Sequence, residues 1–396
     1  MAFTAPLRLR SAGGDAGRKV TWLELFFDLI FVAAVGQVAE PLHEHYSPAG
    51  LLTFAPLFVL IWWAWTGHTV FATRFETDDA IQRGLTLVQM FAVAVMAANA
   101  TDALDSRSSA GFAAAYAAVR LVLVAQYFRA RRIAAARSLS SRYFAGHGIA
   151  ALLWLASSIV PAPQRFWIWG VALVIDLGTP WIAVRHSVNV PPDAAHLTER
   201  FGLFTLILLG ESVVSVMRGM ESQEDWTPAA ATAAFVGMGI SFLIWWWYFD
   251  GASAVEEPAI PTKREAVRFQ IWSYAHFPLY LGIVIAGVGV QRIVTAAART
   301  DLMMAETTIL AGAVATVMLA MTAIGATSAG RPRGDRAGVR RHVAIAAATM
   351  ALGLGGHLAA PAAVVVVIAA LYLTQLGLSR ADEPLPPPGD PLVAGR

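Results

Sequence analysis

The chain has 396 residues, 57% of them hydrophobic and only 14% charged. Soluble domains carry about a quarter charged residues, so the composition excludes an ordinary soluble protein and points to a polytopic membrane protein. A net charge of +2, with Lys and Arg confined to a few loops, excludes a nucleic-acid-binding stripe. The absence of cysteine excludes disulfides, thiol catalysis and cysteine-ligated metal. There is no haem, flavin or nucleotide signal.

Residues 1–19 are polar and basic and lack the apolar core and cleavage site of a signal peptide. They read as a cytosolic N-terminal segment. Val20–Glu40 is long enough to cross a bilayer, since about 17–25 residues suffice. It carries Glu24 and Asp28, four residues apart and therefore on one helical face. Two acids on one stripe are not expected to face lipid. Further apolar stretches follow near 51–71, 84–101, 111–128, 145–161, 166–184, 199–217, 230–249, 269–290, 306–326, 342–358 and 362–378. The fold expected is all-α, with about 12 transmembrane helices. The fifth, eleventh and twelfth stretches are short, and little more than Pro361 separates the last two. The tail 381–396 is Pro-rich and reads as disordered.

Basic residues fix an expected orientation. Arg8, Arg10, Arg18 and Lys19 precede the first helix, Arg129, Arg131, Arg132, Arg137 and Arg142 follow the fourth, and Lys263 and Arg264 follow the eighth. Arg331, Arg333, Arg336, Arg340 and Arg341 follow the tenth. All fall on one side, so both termini are expected in the cytosol, with Arg292 and Arg299 the main exceptions.

The chain also repeats itself. Glu24-Leu-Phe26 matches Glu199-Arg-Phe201, Leu60-Ile-Trp62-Trp63 matches Leu243-Ile-Trp245-Trp246, and Ala80-Ile-Gln-Arg83 matches Ala266-Val-Arg268. Six helices separate the copies, an even number. The expectation is two parallel six-helix repeats, 20–190 and 191–380, related by an axis along the membrane normal.

Several segments together resemble the bacterial low temperature requirement protein A family. These are Thr21-Trp-Leu-Glu-Leu-Phe-Phe-Asp28, Arg74-Phe-Glu-Thr-Asp-Asp79 and His196-Leu-Thr-Glu-Arg-Phe-Gly-Leu-Phe204 running into Leu209-Gly-Glu-Ser212, with Trp245–Asp250. The likeness covers about residues 19–380. It implies a polytopic protein of the bacterial inner membrane and fixes no reaction or substrate.

The ionisable residues of helices 1–3 and 7–9 collect at one membrane face. Glu24, Asp28, Glu199, Glu211, Asp250 and His276 are candidates for proton chemistry. Arg74, Arg83, Arg200, Arg268 and His68 are candidates to hold an anionic head, with Trp62, Trp245 and Trp246 forming an apolar wall. Glu76, Asp78, Asp79 and Glu257 are carboxylates able to hold Mg2+. Deeper in the membrane, Asp176 and Arg120 are candidates for an ion pair with each other.

Two functions fit this pattern. The first is a membrane-embedded enzyme with a cytosol-facing pocket for a small amphiphilic anion, possible substrates being prenyl diphosphates in a terpene cyclase- or prenyltransferase-like reaction. Aromatic faces would then stabilise an allylic cation. Asp250-Gly-Ala-Ser253-Ala-Val-Glu256-Glu257 has the spacing of the second metal motif of terpene synthases, with Phe249 in place of its Asn. The second is a proton- or cation-coupled secondary transporter, a common use of paired six-helix repeats. A structural or sensory role, with the acids as helix locks, is the third alternative.

Overall fold

A computed structural model describes residues 7–9, 20–76, 79–104, 107–223, 225, 227–252, 262–296, 303–327, 336–359 and 361–381. Its helices, in chain order, are α1 (Trp22–Glu44), α2 (Pro48–Arg74), α3 (Ala80–Ala98), α4 (Ser109–Ala130), α5 (Arg137–Ser157) and α6 (Gln164–Ser187). There follow α7 (Ala194–Glu221), α8 (Pro228–Ala252), α9 (Lys263–Ala296), α10 (Met304–Thr327), α11 (Arg336–Gly355) and α12 (Pro361–Ala381). Every apolar stretch marked out by hydropathy is a helix. Among the described residues, nine are long and apolar enough to cross a membrane: α1–α4 and α6–α10. The exceptions, α5, α11 and α12, are the three whose apolar stretches are short.

The helix starts follow from their capping residues. At α1, Thr21 Oγ1 accepts from Glu24 N–H at 3.3 Å while Glu24 Oε2 accepts from Thr21 N–H at 2.9 Å, a reciprocal capping box. At α2, Ser47 caps and Pro48 opens the first turn, where its missing N–H costs nothing. Asp79 caps α3 and Asp193 caps α7.

Contacts between helix termini define two ends of the bundle. At the near end, where α1 starts, Asp193 N–H donates to Thr73 C=O and Arg129 pairs with Asp79 at 2.6 Å. At the far end, His43 bonds Gln291 at 2.7 Å and Arg218 meets Glu40 at 3.5 Å. A two-residue ribbon also sits at the near end. Strand β1 (Arg8–Leu9) runs antiparallel to β2 (Phe75–Glu76), pairing Arg8 with Glu76 and Leu9 with Phe75. Leu7 and Leu9 pack there onto a cluster that includes Phe71, Tyr127 and Tyr143.

The two halves show similar neighbours. Helix α1 packs on α2 and α3, as α7 packs on α8 and α9; α3 packs on α4 and α4 on α5, as α9 packs on α10 and α10 on α11. The last helix of each half is placed differently. Helix α12 lies along α8, whereas α6 leaves α2 and leans on α5 and α9. Helix α9 is the central element, packed against α7, α8 and α10. Its approach to α10 is close at Gly282, where a Cβ would lie 2.9 Å from the Ala313 carbonyl oxygen and 2.8 Å from Val317 Cγ2. Small residues at such crossings are the usual basis of tight packing in membranes.

Candidate functional site

Glu24 and Asp28 do face the interior together, but both are used there. Asp28 is fully buried; its carboxylate accepts Arg200 Nε–H at 3.0 Å, a second bond from Arg200 Nη2, and Trp65 Nε1–H at 2.7 Å. The fork-to-carboxylate match makes this a strong, oriented pair. Glu24 Oε1 accepts from His196 Nε2 at 3.1 Å and lies 3.5 Å from Arg200 Nη1. The four side chains tie the starts of α1 and α7 together. His68 stacks on Phe27 beside them, ring centroids 3.9 Å apart.

A cavity lies elsewhere, on another face of α2. It is walled by Trp63, Thr66, Gly67, Val70 and Arg74 of α2, facing Tyr127 of α4, Tyr143 and His147 of α5, Pro180 of α6 and Phe269, Gln270, Ser273 and Tyr274 of α9. About 20 Å3 is open to the centre of a water molecule, space for a water or two, which needs roughly 10–15 Å3 each.

Arg74 is the chemically unusual member. It is fully buried, and the hydrogen bonds seen among the described residues, to Tyr143 Oη at 3.5 Å and Ser187 Oγ at 3.4 Å, are both long. Its Nε–H has no acceptor, and no carboxylate pairs with it among the described residues. In the same cavity, the buried hydroxyls of Ser273 and Thr66 have no hydrogen-bond partner among the described residues. A buried guanidinium without a counter-charge is costly, and this one is surrounded by donors. The arrangement suits a bound anion.

Behind Arg74, at mid-depth, lies a second polar cluster. His147 Nδ1–H donates to Asp176 Oδ1 at 2.6 Å. Arg120 Nε lies 2.8 Å from Asp176 Oδ2, while Arg120 Nη2–H donates to Tyr116 Oη at 2.6 Å. The Asp176–Arg120 pair anticipated from sequence is therefore present, with His147 as a third member. Each lies ten or eleven residues from a near-end helix terminus, roughly 15 Å along the helix at 1.5 Å per residue. Towards the far end the space between α4, α5 and α6 is filled by rings: Tyr116 against Trp154 (4.4 Å), Trp154 against Trp169 (5.0 Å) and Phe112 against Trp169 (5.4 Å). Arg165 closes that end by capping the last carbonyls of α5, Ser157 at 2.9 Å and Ser158 at 3.1 Å.

The remaining expected site residues scatter. Glu199 and Arg83 are exposed, so neither joins the buried network; the acid matched to Glu24 by the repeat points away, and its neighbours His196 and Arg200 make the contact instead. Glu211 is partly buried against Gly36 of α1. His276 donates from Nδ1 to Trp272 C=O at 2.9 Å and accepts from Tyr248 Oη at 3.1 Å, so both ring nitrogens are engaged. Arg268 is partly buried near the start of α9. Trp62 is buried against Trp63 and Phe277. Of the three consecutive tryptophans on α8, Trp247 is buried, Trp246 partly so and Trp245 is 37% exposed.

The carboxylates expected to hold Mg2+ do not assemble among the described residues. Asp79 Oδ1 caps Gln82 N–H at 2.8 Å and Oδ2 takes Arg129 at 2.6 Å. Glu76 lies in the ribbon. No group of three or more metal-ligating side chains occurs among the described residues. Asp78 and Glu257 lie outside the described residues, as does the side chain of Asp250. The capping role makes a prediction. Asp79→Ala is expected to cost about 1–2 kcal/mol, read as a lowered thermal midpoint in detergent, while Asp79→Asn retains most of the stability; equal losses in the two variants would refute a cap.

Tyr127, Tyr143 and His147 escaped the sequence reading. The usable signal is His147 itself, near the start of the 145–161 stretch, since an ionisable residue inside a membrane helix is a functional candidate by default.

Comparison with known proteins agrees with this architecture. The sequence pattern of the family described as bacterial low temperature requirement A protein (LtrA) matches residues 19–376. The chain is also 30% identical over 287 residues to an uncharacterized protein of Rhizobium meliloti (strain 1021), an alignment covering 68% of each chain. This multi-pass membrane protein therefore belongs to the bacterial low temperature requirement A family.

Proposed function

We propose that the cavity at Arg74 receives the anionic head of an amphiphilic small molecule, and that the protein acts on it as a membrane-embedded enzyme. The observation that carries this is Arg74 itself, fully buried and without a carboxylate among the described residues. One-sidedness supports an enzyme over a carrier: the lining residues come from the near-end halves of their helices, and the far side is packed with aromatic rings. The near end is read as cytosolic from its arginine-rich loops; the reading has both termini inside and the bacterial cell membrane as the site of action.

Prenyl diphosphates are the substrate class to test first. They join an anionic head to an apolar tail, and Trp63, Tyr127, Tyr143, Phe269 and Tyr274 give the cavity ring faces suited to a developing cation. Its present size admits a water or two, so seating the head requires the walls to part, with the tail running outward past α6 and α9. The Mg2+ proposal now rests on Asp78 and Glu257, and the assay is run with and without the metal. Release of diphosphate by the purified protein is expected, and Arg74→Gln should lower the rate by about 100-fold or more with Arg74→Lys intermediate. No turnover and no binding across a panel of prenyl diphosphates would sink this reading.

A proton-coupled carrier is the second reading, favoured by the ion cluster of Arg120, Asp176 and His147 at mid-depth. Uptake of an anion into proteoliposomes, without conversion, would select it.

Two parallel six-helix units remain our reading of the architecture. The parallel neighbour pattern of the helices supports it. Under that reading, α6 and α12 are counterparts, and the cavity lies mostly in the first half with α9 of the second closing it.

A further inference from the structure

We propose that His147 is the proton acceptor of the Arg74 cavity, taking up a proton at Nε2 when an anion is seated there; the inference rests on the anion reading of that cavity. Three observations meet at this side chain. It lines the same cavity as Arg74. Its Nδ1–H is held by Asp176 at 2.6 Å, which fixes the tautomer and leaves Nε2 as the lone-pair nitrogen. Among the described residues that Nε2 has no protein partner, although the ring is buried.

The charges around it set the direction of the effect. Asp176 faces it from α6, Arg120 from α4 and Arg74 from α2, with the phenols of Tyr127 on α4, Tyr143 on α5 and Tyr274 on α9 completing the surroundings. A seated anion adds negative charge beside Nε2 and favours a proton there, and in a buried site that Coulomb effect is large. The proton comes from solvent and is bound at Nε2. The imidazolium then donates from Nδ1 to Asp176 and from Nε2 to the anion. His147 would thus be a catalytic residue, acid or base as the substrate requires.

Inorganic sulfate is the probe, since it does not titrate near neutral pH. The full chain in detergent is titrated with sodium sulfate by calorimetry, in two buffers of different ionisation enthalpy at one pH. The difference in heat should correspond to about one proton taken up per sulfate. His147→Asn keeps an N–H for Asp176 but loses Nε2; it should bind sulfate with equal heats in both buffers. His147→Gln serves in the same way if that variant folds poorly. Identical heats for the unsubstituted protein, or proton uptake that survives in both variants, would overturn the proposal. Absence of sulfate binding in the unsubstituted protein overturns instead the anion reading of Arg74, and this inference with it.

Discussion

Arg200→Met is expected to cost about 3–5 kcal/mol, enough to remove most folded protein from a detergent extract. The reason is the charge it leaves behind. Asp28 is fully buried, and two of its hydrogen bonds come from Arg200; removing one partner of a buried pair strands the other ion in a low-dielectric interior. Trp65 Nε1–H would remain its one described donor. The same physics predicts a rescue. Asp28→Leu combined with Arg200→Met removes both ions and should restore most of the stability, because buried pairs are often replaceable by apolar groups of similar volume. Thermal midpoints of the two single variants and the double variant form the cycle. A double variant no more stable than Arg200→Met would show that these residues do more than hold α1 to α7.

The second large effect is steric. Gly282→Leu places a side chain where α9 and α10 touch, and its first carbon alone would meet the Ala313 carbonyl oxygen at 2.9 Å. That oxygen belongs to the helix backbone and has nowhere to move. Overpacking typically costs 1–3 kcal/mol, and here we expect about 3 kcal/mol. Trimming Val317 to Ala should recover little, because the carbonyl clash persists. Gly84→Ala is the control: nothing lies within 4 Å of its Cβ position, and an exposed helix position gains about 0.5–1 kcal/mol on that change. Monodispersity and thermal midpoint of the three variants decide the matter; a tolerated Gly282→Leu would mean that α9 and α10 slide more freely than their packing implies.

Much of the helical plan was legible because membrane spans are written in composition. An unbroken apolar stretch must hydrogen-bond its backbone internally, and a helix is the way to do it. The three weak stretches were legible as weak for the same reason: α5, α11 and α12 are not among the helices long and apolar enough to span. Partners were much less legible. Glu24 and Glu199 match in the repeat, yet the buried contacts of Glu24 are His196 and Arg200, a choice made by the rotation of α7 that a motif does not encode. Arg74 and Arg83 are the same residue type near helix ends, yet one is fully buried and the other exposed. What separates them is the course of α6 and α9 across α2, which no local pattern expresses. His147 illustrates the converse. It sits in a weakly apolar helix and becomes significant only once Asp176 is brought to 2.6 Å by a separate helix.

The ribbon between Arg8–Leu9 and Phe75–Glu76 bears on how the protein is made. Strand β1 leaves the ribosome first but has nothing to pair with until α1 and α2 have been synthesised and the chain has returned to the near end. Docking of the N-terminal segment is thus a late event in biogenesis, a clasp fastened over a finished helical hairpin. It holds beside Arg74, so a bulky domain fused to the N-terminus would weigh on the clasp and on the cavity behind it.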